Sequence, residues 1–145
     1  MKYFKITEFD SPDVKGSGSN MNTSFLNKLD AARGDAGISF LITSGYRTAA
    51  HNAKLKDSVS NSAHTKGLAA DISASTDKIK QTIINSLVKV GFGRIGVGRN
   101  YIHVDDDVSK PMPAVWTYPD TAKAWVDLKP TLLSAIKKKA PIVVV

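Results

Sequence analysis

Cysteine is absent from all 145 residues, so disulfides, thiolate metal ligands and a cysteine nucleophile are excluded together. Any metal must be held by histidine and carboxylate. Histidine is itself scarce: the chain has three, His51, His64 and His103. No apolar run approaches the roughly 20 residues that a bilayer span requires. Residues Met1-Lys-Tyr-Phe-Lys-Ile-Thr-Glu8 lack the continuous apolar stretch of a secretory leader. Val143–Val145 is too short to anchor the chain. The expectation is a soluble chain with no membrane partner, synthesised in the cytoplasm without a signal peptide.

The length fits one domain, residues 1–145, with a basic helical tail from about residue 120. The formal charge of +7 favours polyanionic partners, either nucleic acid or the anionic polymers of a bacterial envelope. No nucleic-acid motif accompanies the lysines, and nucleic acid is set aside as a partner. The run Phe92-Gly-Arg-Ile-Gly-Val-Gly98 has neither the spacing nor the following helix of a dinucleotide-binding loop.

Two stretches carry chemistry: Ser62-Ala-His64-Thr-Lys-Gly67-Leu-Ala69-Ala-Asp71, and Tyr101-Ile-His103-Val-Asp105. Two histidines and one carboxylate are the donors of a catalytic zinc, which keeps a fourth position open, whereas structural sites close with four protein ligands. His64, Asp71 and His103 supply three. That count favours an enzyme over a module that keeps a metal only for folding. Gly67 lets the backbone turn between the first two ligands, and Ala69 and Ala70 leave room beside the site. Period-two alternation sends Ile102 and Val104 to the core and puts His103 and Asp105 on the opposite face of a strand. His51 reads as a helix-surface residue, and Asp106 and Asp107 read as a solvated turn.

Around these stretches the pattern predicts an α+β fold, a small antiparallel sheet of about four strands carrying the site and packed against helices. Asn22 or Thr23 caps a helix to about Arg33 that buries Phe25, Leu26, Leu29 and Ala32. Residues 38–43 read as a buried strand, 49–55 as a short helix, and 77–90 as a helix with Ile79, Ile83, Leu87 and Val90 on one stripe. A hairpin then delivers Tyr101–Asp105. Val115–Tyr118 reads as a last strand, followed by helices from Asp120 and Pro130, with Lys137–Lys139 placed favourably at a helix C-terminus.

The pattern Ser-x-His-x-x-Gly-x-Ala-x-Asp, followed later by His-x-Asp, resembles the zinc D-Ala-D-Ala carboxypeptidases and related peptidoglycan peptidases of the M15 type. With residue frequencies near one in twenty, its five fixed positions recur by chance on the order of once in ten thousand chains of this length. The resemblance extends to Glu8-Phe-Asp-Ser-Pro12, Ser44-Gly-Tyr-Arg47, Asn52, Arg94-Ile-Gly96 and Val115-Trp-Thr-Tyr118, over about residues 4 to 118. These look like the small, often phage-encoded branch whose site ends in His-Val-Asp.

The resemblance implies a Hedgehog/DD-peptidase-like fold and one Zn2+ ion on His64, Asp71 and His103. It implies a substrate of peptidoglycan stem peptides, cut by a D-Ala-D-Ala carboxypeptidase or a phage-type endopeptidase lysin, acting as a monomer on the cell wall after release or delivery. It places Arg47 against the substrate's carbonyl or carboxylate, a role suited to a planar, permanently charged fork, with Tyr46 and Ser62 as further substrate contacts. Related enzymes place the general base three residues before the last histidine. That position here is Asn100, so Asp105 either takes over as base or orients His103. The alternative to catalysis is a metal-stabilised wall-binding module.

Overall fold

Capping side chains start the helices that carry the core. Asn22 Oδ1 accepts the Phe25 N–H at 2.9 Å to open α1 (Thr23–Ala36), and Gly37 closes it in a left-handed conformation, φ 68°. The computed structural model describes residues 1–56 and 58–143. After α1 come β1 (Ile42–Ser44), α2 (Ala49–Lys54), β2 (Ala69–Ser73), α3 (Asp77–Lys89), β3 (Arg94–Val97), β4 (Tyr101–Asp105), β5 (Ala114–Thr117), α4 (Lys123–Asp127) and α5 (Lys129–Lys138). Thr76 Oγ1 caps α3 by accepting the Ile79 N–H.

The sheet has five strands in the order β1-β2-β4-β3-β5. All pairs are antiparallel except β3 with β5, which run parallel. The sheet is therefore mixed, and one strand larger than the small antiparallel sheet expected. Arg94 pairs with Asp105 on one side and Ala114 on the other, so residues 106–113 arch over the end of β3 and bring β5 back outside it.

One face of the sheet rests on α1 and α3. Ile72, Ile95, Ile102 and Val104 project toward Phe25, Leu29, Ile83 and Leu87, and all are 1 % exposed or less. Burial of each such side chain stabilises the fold by roughly 1.5–3 kcal/mol. Alternation along β4 then fixes the other face, where His103 and Asp105 lie.

Two expected boundaries shift. The strand expected over residues 38–43 is confined to β1, because Phe40 turns into the core beside Phe4, ring centroids 6.5 Å apart, and leaves Leu41 64 % exposed. The C-terminal helices are built into the core through Trp125, Leu132 and Ile136. Asn85 clasps the Ile142 backbone at both N–H and C=O, at 2.8 and 3.0 Å. Among the described residues no helix is long and apolar enough to cross a membrane.

The N-terminus is tied down by Asp30, whose carboxylate accepts the backbone N–H groups of Lys2, Tyr3 and Phe4 at 2.8, 2.8 and 3.1 Å. Burial opposes ionisation of Asp30, but these donors outweigh it and hold the carboxyl below its ordinary value. Asp30→Ala is expected to cost about 2 kcal/mol at pH 7, since hydrogen bonds to charged groups contribute roughly that much. Because the folded-state pKa is depressed, the stabilisation is complete above the unfolded value of about 3.9 and fades as pH falls through the folded value. Urea titrations of both proteins at pH 7 and pH 3 check this: the gap between them should narrow in acid.

Candidate metal centre

Strand register brings the first two groups together. Asp71 on β2 stands directly opposite His103 on β4, on the face away from the helices. His64 arrives from a 3₁₀ turn, Ala63–Lys66, whose first N–H groups include that of His64, accepted by Ser62 Oγ at 3.3 Å. Gly67 ends the turn at φ 69°, and a Cβ there would lie 2.3 Å from the Asn20 carbonyl oxygen, so only glycine fits. The Gly67 carbonyl accepts the Asn22 N–H and fastens the turn to the start of α1.

The side chains converge on one point. His103 Nδ1 is 2.8 Å from Asp71 Oδ1, and His64 Nε2 is 3.5 Å from the same oxygen. One donor atom from each residue lies within 4.8 Å of the others, an arrangement that can hold a metal ion. The remaining ring nitrogens are held from behind: His64 Nδ1 donates to the Gly45 carbonyl at 2.8 Å, and His103 Nε2 lies 2.8 Å from Asp105 Oδ2. This is how ligating histidines are fixed in tautomer and orientation.

The electrostatics suit a cation. Burial lowers the basicity of His64 and favours the neutral form that binds metal. Burial acts the same way on His103, but hydrogen bonds to Asp105 and Asp71 outweigh it and raise its pKa. Burial would raise the pKa of Asp71, yet contacts with His103 and His64 hold it well below the carboxylate range. Each ring nitrogen of His103 thus faces a carboxylate oxygen at 2.8 Å, and a metal ion at Nδ1 would require that nitrogen to be free of its proton.

Both carboxylate oxygens of Asp105 are already engaged. Oδ2 faces His103, while Oδ1 accepts from Arg94 Nε at 2.7 Å and from the Asp107 N–H at 3.0 Å. Arg94 also donates to the Pro111 carbonyl and lies over the Trp116 ring, 4.9 Å from its centroid. Trp116 in turn sits 5.4 Å from the His103 ring. Gly96 makes this wall possible. It pairs with both His103 and Trp116, and a Cβ on it would lie 2.6 Å from the indole nitrogen and 2.9 Å from Tyr118 Cε2. Gly96→Val is expected to displace the indole and weaken metal binding at least tenfold, with a shift in Trp116 fluorescence as the check.

Other expected residues divide. Arg47 is at the site: Nη2 lies 3.7 Å from Asp71 Oδ2, Nε donates to Ser44 Oγ and Nη1 to Asn52 Oδ1. Ser62 borders the cleft, with its Oγ already accepting the His64 N–H. Tyr46, expected to touch substrate, instead packs against the hydrophobic core, with its N–H on the Phe9 carbonyl, and lines neither cleft beside the cluster. His51 lies on α2 outside the cluster. Asp107, expected in solvent, is 2 % exposed and binds Lys66 at 2.9 Å and Ser109 Oγ at 2.6 Å. Tyr101 lies outside the residues expected from sequence to touch substrate, yet its ring meets that of Tyr118 along the cleft, centroids 5.2 Å apart and planes tilted by 47°. Burial pushes the Tyr101 phenol up to about 12 and raises Tyr118 as well, so both remain protonated donors.

No curated protein and no solved structure matches the chain. A sequence-family model described as Peptidase M15 matches residues 2–105, a stretch that contains His64, Asp71, His103 and Asp105. With most of the chain matched and a metal-competent cluster inside the matched stretch, the chain belongs to the Peptidase M15 family of metal-dependent hydrolases of peptide bonds.

Proposed function

We propose that the protein is a zinc peptidase that hydrolyses peptide bonds in bacterial peptidoglycan. The observation that carries this reading is the convergence of His64 Nε2, Asp71 Oδ1 and His103 Nδ1, with both histidines held from behind by oxygen acceptors. Nitrogen and oxygen donors without thiolate suit zinc, and three protein ligands match a catalytic rather than a structural site. Zinc bound there supplies Lewis acidity that acidifies water and polarises a carbonyl.

The protein's own groups do the positioning. Asp105 orients His103, with Arg94 and the Asp107 N–H fixing the carboxylate. Arg47 places a permanent positive charge beside Asp71, where it attracts a substrate carbonyl or carboxylate. The Tyr101 and Tyr118 hydroxyls offer further hydrogen bonds along the same cleft. The peptidoglycan substrate is supported by the Ser62–Asp71 and His103-Val-Asp105 signatures together, and the charge of +7 suits an anionic envelope.

Digestion of purified peptidoglycan with zinc-loaded protein, followed by mass spectrometry, tests the reading. Released peptide fragments that vanish with chelator and return with zinc are expected. Protein that holds zinc and sediments with the wall but leaves it intact would identify a binding module instead.

A further inference from the structure

In the fold, the glycine-rich run 92–98 is a seat for aromatic rings. Gly96 makes room for Trp116 and Tyr118, and Gly98 does the same for Tyr101: a Cβ on Gly98 would lie 2.3 Å from Tyr101 Cε1 and 2.6 Å from its Cδ1 and Cζ. The Gly98 N–H closes the hairpin on the Tyr101 carbonyl at 2.9 Å, and the Tyr118 ring meets that of Tyr101 at 5.2 Å. The ring is therefore held by its neighbours, while its hydroxyl has no hydrogen-bond partner among the described residues.

Tyr101 lies two residues before His103 on β4, about 7 Å along the strand, and alternation puts it on the same face as His103 and Asp105. The metal cluster occupies a cleft of about 650 Å³, and a second cleft of about 380 Å³ adjoins it. Arg47, Leu55, Asp71 and Tyr101 border both. Leu55 is apolar and Asp71 belongs to the cluster, so the side-chain donors at this junction are Arg47 and Tyr101. We propose that Tyr101 is a catalytic residue, its hydroxyl donating a hydrogen bond to the carbonyl oxygen of the bond being cut. This rests on the peptidase reading above and adds a group to its machinery.

Arg47 alone does not fill the role. Its Nε is given to Ser44 and its Nη1 to Asn52, and Nη2 lies 3.7 Å from Asp71, so part of its charge is spent inside the protein. As the carbonyl is attacked, negative charge gathers on its oxygen, and a donor already held in place stabilises that charge without reorganising. A phenol carries one O–H donor at neutral pH. No proton is transferred: the hydrogen bond strengthens as the charge develops and relaxes when the product forms.

Tyr101→Phe keeps the ring on its seat and removes only the hydroxyl. In the zinc-loaded full chain, assayed on the peptidoglycan fragment that wild type cleaves fastest, kcat is expected to fall about 100-fold, the scale of losing one such donor. KM should stay within about twofold, the mark of an interaction made only in the transition state, and zinc affinity should not change. Unchanged kcat, a loss confined to KM, or a loss that follows zinc affinity would each overturn the inference and leave a peptidase. Wild-type protein that cleaves nothing would overturn the peptidase reading, and the inference with it. Gly98→Ala keeps the hydroxyl but pushes the ring off its seat. It should lower kcat roughly 10- to 100-fold in the wild-type background and add little to Tyr101→Phe. Losses that add in full would overturn the assignment of Gly98 as the seat of that hydroxyl.

Discussion

His64→Ala is expected to abolish zinc binding and to lower peptidase activity by more than about 100-fold, the upper range for losing even an outer partner of a metal ligand. The imidazole is 3 % exposed and reaches the cluster from a turn that closes only because Gly67 adopts positive φ. Without it, Asp71 and His103 remain, two donors where a catalytic site needs three. The substitution also strands the Gly45 carbonyl, which the imidazole Nδ1 satisfies at 2.8 Å, at a cost of roughly 1–3 kcal/mol. Melting curves separate the two effects. Zinc at 100 times its dissociation constant stabilises a binding protein by about 2.7 kcal/mol, so wild-type Tm should rise with zinc while that of the variant stays put.

Asp105→Asn is expected to weaken zinc binding 10- to 100-fold, and this measurement separates the two roles that the sequence leaves open. A general base that merely takes a proton would, when amidated, lose activity with zinc affinity unchanged. A carboxylate that orients a ligand would lose affinity. The geometry favours the second outcome, because Oδ2 is engaged by His103 and Oδ1 by Arg94 and the Asp107 N–H. The substituted side chain would bring an amide with one acceptor oxygen where the carboxylate serves three donors. Arg94→Met should be harsher still for the fold: it leaves the 1 % exposed Asp105 without its cation, and breaking a buried pair costs roughly 3–5 kcal/mol. Arg94→Lys, which keeps the charge but not the fork, should restore part of the stability.

The candidate ligands were legible because the chemistry dictates residue type and the backbone dictates spacing. With cysteine absent, few donors remained, and period-two alternation around His103 placed it and Asp105 on one face of β4, opposite Ile102 and Val104. Helix starts at Asn22 and Thr76 were legible for a local reason, since caps act within three residues. What escaped depends on distant neighbours. The parallel pairing of β5 with β3 follows from the path of residues 106–113, which no local pattern encodes. Asp107 looked like turn chemistry, but Lys66 and Lys110 converge on it and take it out of water. Tyr46 sits next to Arg47 in sequence, yet Tyr46 packs against the core while Arg47 lines the cleft. The Trp116 wall needed Gly96, and the signal was available in part: a glycine between two strand residues marks a close approach of some other group.

X-ray absorption spectroscopy of the zinc-loaded protein bears most directly on the metal centre. With only three histidines in the chain, the number of imidazoles around zinc identifies the ligands almost by itself. Two imidazole nitrogens at about 2.0–2.1 Å, with the remaining scatterers oxygen at about 2.0–2.2 Å, are expected, and the imidazole count should fall to one in His64→Ala if any zinc remains. A third imidazole, which would bring in His51, or a shell of oxygens alone, would contradict a centre built from His64, Asp71 and His103.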